Sequence, residues 1–480
     1  MTTTWSDKQT AVFDDVENGK GNTVVLARAG CGKTTTILEA LNRVPAGQKT
    51  LLVAFNKTIA TEIQERLGDN ARATVSTLHS YGLRTVGRTH KVYVDLRRGQ
   101  SIADHAAAGE SWPYRRALAD AVGLAKGTLA DDAESVTAAL DAADKGAIPP
   151  SVQAHTDPET LFVGRILQCL DRAEKDFDGT LDFDDMVWLP HVLQLQPSKF
   201  DRVFVDETQD LNAAQLSLAK KAKKNLGRIV AVGDDRQAIY GFRGAGADAM
   251  GTLRTELSAK VLPLNITYRC PQTVVAMAQQ YVPDFCAGPG APEGIVRTGG
   301  VREAQPGDFV LSRTNAPLVA WALAFIRSGR KMIVRGRDFG AQLKSFVERT
   351  KAGDLPGLRV AVDKWEAAEL ERRAKTGRDT DAVTDRAATI HALAEGCASI
   401  ADVLAACDAL FSDARPDNAV IFSSTHRAKG LEANRVFVLQ PTYLKVRRGQ
   451  DCASVEEENL WYVAITRTKQ ELVLCPEMVT

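Results

Sequence analysis

The run Thr23-Val24-Val25-Leu26-Ala27, apolar and β-branched, leads directly into Arg28-Ala29-Gly30-Cys31-Gly32-Lys33-Thr34-Thr35 and then a helical pattern. A strand, a glycine-containing loop and a helix start in that order turn backbone N–H groups and the positive end of a helix toward one point, which suits a phosphate. In such a loop Ala29, Gly30, Cys31, Gly32 and Thr35 supply the cradle. Lys33 reaches the β- and γ-phosphates, and Thr34 ligates Mg²⁺. Ala27 stands where the full G-x-x-x-x-G-K-[ST] pattern has its first glycine, so a strand-to-helix turn that merely packs is the competing reading.

The same rhythm continues through TLLVAF (50–55) and ATVSTL (73–78), as a parallel sheet requires. It stops near Gly82, gives way to Ala-rich, charged helical sequence to about Val187, and resumes at RVFVDE (202–207) and RIVAVGD (228–234). A third strand set is expected to open at KVLPLN (260–265) and to run through DFVLSR (308–313) and KMIVRG (331–336). After a second helical stretch come AVIFSS (419–424), RVFVLQ (435–440) and ELVLC (471–475). The expected fold class is therefore α/β, with two parallel-sheet cores each interrupted by a helical insertion. The predicted partition is 1–83 with 188–262 as the first core and 84–187 as its insertion. Residues 263–340 with 416–480 form the second core, and 341–415 a small excursion from it.

Asp206 and Glu207 close the apolar run Val203-Phe204-Val205. Two acids at a buried strand end are costly unless a cation neutralises them. Mg²⁺ held by Asp206 and Thr34 supplies one, and Glu207 then serves as the base for an attacking water. The bland alternative is a solvated turn with Asp210 as a helix cap.

With these residues in view, the chain resembles the superfamily 1 DNA helicases of the UvrD/Rep type, motif by motif and in order. Gln9 in SDKQTAV is similar to the residue that reads the adenine edge, with Trp5 and Phe13 either framing the base or anchoring the first helix. VAFNKTIA (53–60), STLHSYG (76–82) and LDFDDM (181–186) resemble DNA-side segments, which implies contacts from Phe55, Asn56, Thr77 and His79. GDDRQAIYGFRGA (233–245) resembles the segment coupling nucleotide to DNA, with Gln237 at the γ-phosphate and Tyr240, Phe242 and Arg243 toward the strand. Phe242 stands where the family commonly has Trp, and a plain core position is the competing reading. NITYRC (265–270) implies Tyr268 stacking on adenine and Arg269 at the γ-phosphate. STHRAKGLE (424–432) implies DNA contacts from Thr425 and His426 and a ribose contact from Glu432, which otherwise reads as a solvated carboxylate at a helix start. LWYVAITR (460–467) implies a second catalytic arginine, Arg467.

The resemblance implies two RecA-like P-loop cores, ATP and Mg²⁺ as cofactors, and single-stranded DNA and single/double-strand junctions as partners. It implies 3′→5′ translocation coupled to unwinding, in repair or replication, with ATP drawing the cores together. The interval between Arg269 and Lys429 is short for this family, so the second insertion is reduced. That favours translocation over strand separation and keeps open a translocase that strips proteins or remodels recombination intermediates. A binding module with a silent ATPase site is the rival from another class. The chain ends soon after ELVLC, so a further nuclease domain or tail is not expected.

Composition agrees with an ordinary globular chain: 480 residues, 44% hydrophobic and 25% charged. Lys+Arg and Asp+Glu are equal at 60 each, so a polyanion must be met by a local basic groove. Eight cysteines fall without CxxC spacing, against a zinc site or disulfide frame. With no apolar signal core at the start and no transmembrane run, the expected location is cytoplasmic, nucleoid-associated in a bacterium.

Overall fold

The computed structural model describes residues 4–68, 73–142, 158–239, 249–375, 380–413, 418–443 and 452–477. The chain divides into two units, the first Met1–Arg28 with Gly32–Asn265, the second Ala29–Cys31 with Ile266–Thr480.

The strands, in chain order, are β1 (Thr23–Ala27), β2 (Thr50–Val53), β3 (Ala73–Ser76), β4 (Tyr93–Val94), β5 (Thr180–Leu181), β6 (Phe200–Val205), β7 (Lys223–Gly233) and β8 (Lys260–Leu264), followed by β9 (Ile266–Thr267), β10 (Cys286–Ala287), β11 (Ile295–Thr298), β12 (Phe309–Ser312), β13 (Met332–Val334), β14 (Val420–Ser424), β15 (Ala433–Leu439) and β16 (Thr468–Cys475).

The first unit is built on a six-stranded sheet in the order β3-β2-β6-β7-β1-β8, parallel throughout. Its central strands are buried along nearly their whole length, which is why they read as unbroken apolar runs. The order places β1 beside β7, with β6 next, so three chemistry-bearing loops leave the same carboxyl edge of the sheet.

The strand at 260–265, expected to open the second set, belongs instead to the first sheet: β8 pairs with β1 from Thr23↔Lys260 to Ala27↔Leu264. A strand's own residues specify that it is extended and apolar, not which neighbour it joins.

The helical stretch between β3 and β6 has its own core, including Tyr114, Leu118, Phe162, Ile166, Cys169 and Leu189. It also carries a buried charge cluster. Arg98 and Lys126 both reach the Asp185 carboxylate, at 2.5 and 2.7 Å.

The second sheet is also six-stranded and parallel, in the order β11-β16-β15-β12-β14-β13. Four helices follow β13, spanning Arg337–Thr350, Leu355–Lys375, Asp381–Gly396 and Ile400–Leu410. They are not the excursion expected for 341–415. Leu343, Phe346, Leu358, Ile390, Val403 and Leu410 sit in one continuous core with Val310, Phe422, Phe437 and Val473 of the sheet. Among the described residues, no single helix is long and apolar enough to cross a membrane.

Candidate nucleotide site and nucleic-acid interface

β1 ends at Ala27, and Gly32 caps the helix Lys33–Asn42 in the left-handed region (φ 74°) without a side-chain cap. A residue with a Cβ is strained in that conformation, and the uncapped first turn leaves its N–H groups for a ligand. Lys33 and the partly buried Thr34 stand in this turn, with Thr35 exposed beside them.

Lys33 Nζ lies 3.0 Å from Asp206 Oδ1 and bonds Glu207 Oε1 as well. Burial works against the charged ammonium, but the two carboxylates more than offset it and hold Lys33 above its usual range. Burial pushes the Asp206 carboxyl up, opposed by Lys33.

Glu207 itself is left-handed at φ 49°, a conformation that costs a non-glycine residue about 1–2 kcal/mol. Lys33 holds one carboxylate oxygen and Gln209 the other, the latter through Nε2 donating to Oε2 at 2.6 Å.

From Gln209 the network continues. Its Oε1 accepts from Asp234 N at 3.1 Å. Gly233 makes that approach possible, because a Cβ there would stand 2.3 Å from Gln209 Oε1 and 2.9 Å from Met250 Sδ. The Asp234 carboxylate accepts from Gln237 Nε2 at 2.7 Å and from Arg28 Nη1 at 2.9 Å, and Arg28 also bonds Asp235. Thus Glu207, Gln209, Asp234 and Gln237 form one chain of hydrogen bonds. Gln209, Asp234 and Arg28 carry no expectation from sequence, since partners so far apart in the chain leave no local pattern.

Gln9 is the third residue of the helix Asp7–Asn18 and completes a capping box with Ser6. Its Nε2 donates to Thr36 Oγ1 at 3.1 Å, so its amide ties the first helix to the phosphate-loop helix. Trp5 packs edge-on against Phe13 at 5.1 Å, and Phe13 is buried.

No cluster of three or more His, Cys, Asp or Glu side chains able to hold a metal occurs among the described residues. A buried acid at the uncapped phosphate loop nevertheless fits a cation that arrives with a polyphosphate, because the phosphate oxygens supply the missing ligands.

In the segments expected from the resemblance to meet DNA, Phe55 is 40% exposed after β2. Asn56 is exposed but caps the helix Lys57–Leu67, its Oδ1 accepting from Ile59 N at 2.9 Å. Thr77 caps the next helix through Ser80 N at 3.2 Å. His79 meets the exposed Phe183 edge-on at 5.7 Å, and burial lowers its affinity for a proton. A cavity of about 200 Å³ is lined by Phe55, Leu78, His79, Asp206, Asn212 and Gln215, among others, so Phe55 and His79 share one space with the acid.

In the second unit, Ala29 N donates to the Tyr462 hydroxyl at 3.0 Å and Tyr268 N to Gly30 O at 2.8 Å. Tyr268 is 52% exposed. Glu432 is clamped by two cations, Arg269 Nε at 2.6 Å and Lys469 Nζ at 2.5 Å.

Two of the residues singled out by the resemblance are buried within the second unit. Arg467 is buried, its Nε donating to Val463 O at 2.9 Å and its Nη1 to Leu431 O at 3.2 Å, so it braces its own unit. Thr425 is fully buried, bonded to the Tyr443 hydroxyl and donating to Ser312 O at 3.4 Å. His426 beside it is partly exposed. Tyr240, Phe242 and Arg243 lie outside the described residues.

Parallel-sheet units, with a phosphate loop facing a lysine-paired acid couple at the sheet's carboxyl edge, define a P-loop nucleotide-binding protein. The chain belongs to the UvrD/REP helicase family: residues 7–257 match its N-terminal domain and residues 387–476 the UvrD-like helicase C-terminal domain. It is 25% identical over 284 residues to DNA helicase II of Salmonella typhimurium, an alignment covering 55% of this chain and 38% of that protein. DNA helicase II of Escherichia coli matches at 25% over 282 residues, with the same coverage of 55% and 38%. ATP-dependent DNA helicase PcrA of Staphylococcus aureus matches at 25% over 300 residues, covering 56% of this chain and 38% of the relative. The matched region thus spans well under half the length of these relatives.

Proposed function

We propose that the chain is an ATP-dependent motor on single-stranded DNA that couples hydrolysis to 3′→5′ translocation and duplex unwinding. The observation that carries this reading is Lys33 in the phosphate loop, bonded to both Asp206 and Glu207. The relatives' names, DNA helicase II and ATP-dependent DNA helicase PcrA, support the same class of activity.

In this reading Lys33 binds the β- and γ-phosphates, Asp206 and Thr34 hold Mg²⁺, and Glu207 takes the proton of the attacking water. Mg²⁺ would neutralise phosphate charge and orient the γ-phosphoryl group. Gln237 reports the γ-phosphate to the segment carrying Tyr240, Phe242 and Arg243. Tyr268 stacks on the adenine and Glu432 holds the ribose. Arg269, paired with Glu432 and donating to Thr466 O, and Arg467, which donates to Val463 O and Leu431 O, are both assigned to the γ-phosphate in the transition state.

We assign 1–83 with 188–265 to the first motor core, 84–187 to its helical insertion and 266–480 to the second core. Junction preference and cytoplasmic location are part of the same proposal.

A translocase with little unwinding is the second reading. The observation favouring it is that helices 337–410 merge into the second core instead of forming a separate element.

The test is the ATPase rate with and without a single-stranded oligonucleotide, followed by unwinding of 3′- and 5′-tailed duplexes. A DNA-independent ATPase rejects the motor. Stimulated hydrolysis without unwinding selects the translocase.

A further inference from the structure

Arg28 has no place in the chemistry above, yet it is a buried cation inside the phosphate loop, 7% exposed. Its backbone N–H donates to Leu264 O at 2.9 Å and so extends the pairing of β1 with β8 by one residue. The main chain of Arg28 is therefore fixed to the sheet at the point where the loop begins. Its side chain bonds the Asp234 and Asp235 carboxylates, which follow β7.

Asp234 is 2% exposed, and burial pushes its carboxyl up, with Arg28 and Gln237 working the other way. Both of its oxygens are engaged: Oδ1 by Arg28 Nη1 and by Arg236 N at 3.2 Å, Oδ2 by Gln237 Nε2 at 2.7 Å. One carboxylate is thus the hinge between a cation rooted in the phosphate loop and the amide of Gln237. The Arg28 guanidinium fixes the orientation of Asp234, and Asp234 fixes Gln237.

We propose that Arg28 is a positioning residue for nucleotide–DNA coupling. Anchored to the sheet, it holds Gln237 in place through Asp234 beside the phosphate loop, and Gln237 precedes Tyr240 and Phe242 by three and five positions. This rests on the motor reading above and adds to it the residue through which the phosphate loop acts on the coupling segment. A guanidinium suits the role because it keeps its charge when buried, and its Nη1 meets two adjacent carboxylates at once. An ammonium serves them less specifically, and an apolar side chain leaves Asp234 without its buried counter-charge.

The test compares the full chain with Arg28→Met and Arg28→Lys. Wild type is measured first, and absence of DNA-stimulated ATPase there overturns the motor reading itself and the inference with it. Given stimulation in wild type, Arg28→Met should lower the ratio of rates with and without a single-stranded oligonucleotide by tenfold or more, while KM for ATP shifts less than threefold. Arg28→Lys should recover part of that ratio.

A folded Arg28→Met variant with the wild-type ratio overturns the inference and leaves the motor reading standing. So does one whose KM for ATP rises tenfold in step with the loss, which would make Arg28 a nucleotide contact. If Arg28→Met does not fold, Arg28→Met with Asp234→Asn removes both buried charges together, and the same ratio is read there. Loss of stimulation supports the coupling, and retention overturns it.

Discussion

Lys33 Nζ stands 3.0 Å from Asp206 Oδ1, so the residue that would bind phosphate is also the counter-ion of the acid that would hold the cation. Removing it has two separable effects. Lys33→Ala should abolish ATP hydrolysis, falling by a hundredfold or more in a steady-state assay. It should also destabilise the nucleotide-free protein by about 3–5 kcal/mol in urea unfolding, because it leaves a buried carboxylate uncompensated. Loss of activity with unchanged stability would mean that the pairing is incidental.

Glu207→Gln keeps the side-chain shape and removes the base. Nucleotide binding, followed by a fluorescent ATP analogue, should stay within a few-fold of wild type while turnover falls at least a hundredfold. Near-normal turnover would reject Glu207 as the base. Gln209→Ala breaks the link from Glu207 to Asp234 and should reduce DNA stimulation more than nucleotide affinity.

How far the sequence discloses this site follows from how local each feature is. The phosphate loop and the acid pair are each short continuous segments whose chemistry shows in their own residues. Gln209, Asp234 and Arg28 join only in space, and nothing in their neighbourhoods marks a partner. Thr425 sits in a matching motif, yet its hydroxyl is spent on Tyr443 inside the unit, a fact set by packing. The strand β11 escapes a pattern reading because it is a short, half-exposed edge strand flanked by glycines. The helices between Arg337 and Leu410 are legible as helices, but an apolar face does not declare what covers it.

That last point has a direct test. Deleting residues 337–410 should leave the second unit unfolded, with loss of soluble protein or of cooperative melting, because the deletion strips one side of the core it shares with β12 and β14. On a finer scale, Ile390→Ala should cost about 2–5 kcal/mol in the intact chain. A deletion variant that melts cooperatively and retains DNA-stimulated ATPase would restore the view of this stretch as an excursion.

Glu432 gives a pH signature. Burial alone would raise its carboxyl, but Lys469 and Arg269 more than offset that and hold it below the usual 4.5. A depressed acid contributes stability that is fully present above its unfolded value and is lost as pH falls through its folded value. The melting temperature of wild type should therefore exceed that of Glu432→Gln near neutral pH. The gap should close as pH is lowered below about 4.5, the unfolded-state value. A gap that widens on acidification would show that the clamp has the opposite sign.

The proposed DNA contacts offer a contrast between two residues drawn from similar motifs. Phe55 is 40% exposed and lines a cavity with His79 and Asn212, where the motif reading expects a base to stack. Phe55→Ala should weaken binding of single-stranded DNA by about 1–3 kcal/mol, the usual worth of one base stacked on an aromatic ring. The loss should be similar for different base compositions, since every base offers a π-face, and the melting temperature should barely change. Thr425→Ala should do the reverse, lowering the melting temperature by leaving the Tyr443 hydroxyl without its partner while DNA affinity stays near wild type. Fluorescence anisotropy with labelled oligonucleotides and thermal melting on both variants decide the matter. If Thr425→Ala weakens DNA binding as much as Phe55→Ala at unchanged stability, the buried hydroxyl is exposed when DNA binds, and the assignment of Thr425 to packing fails.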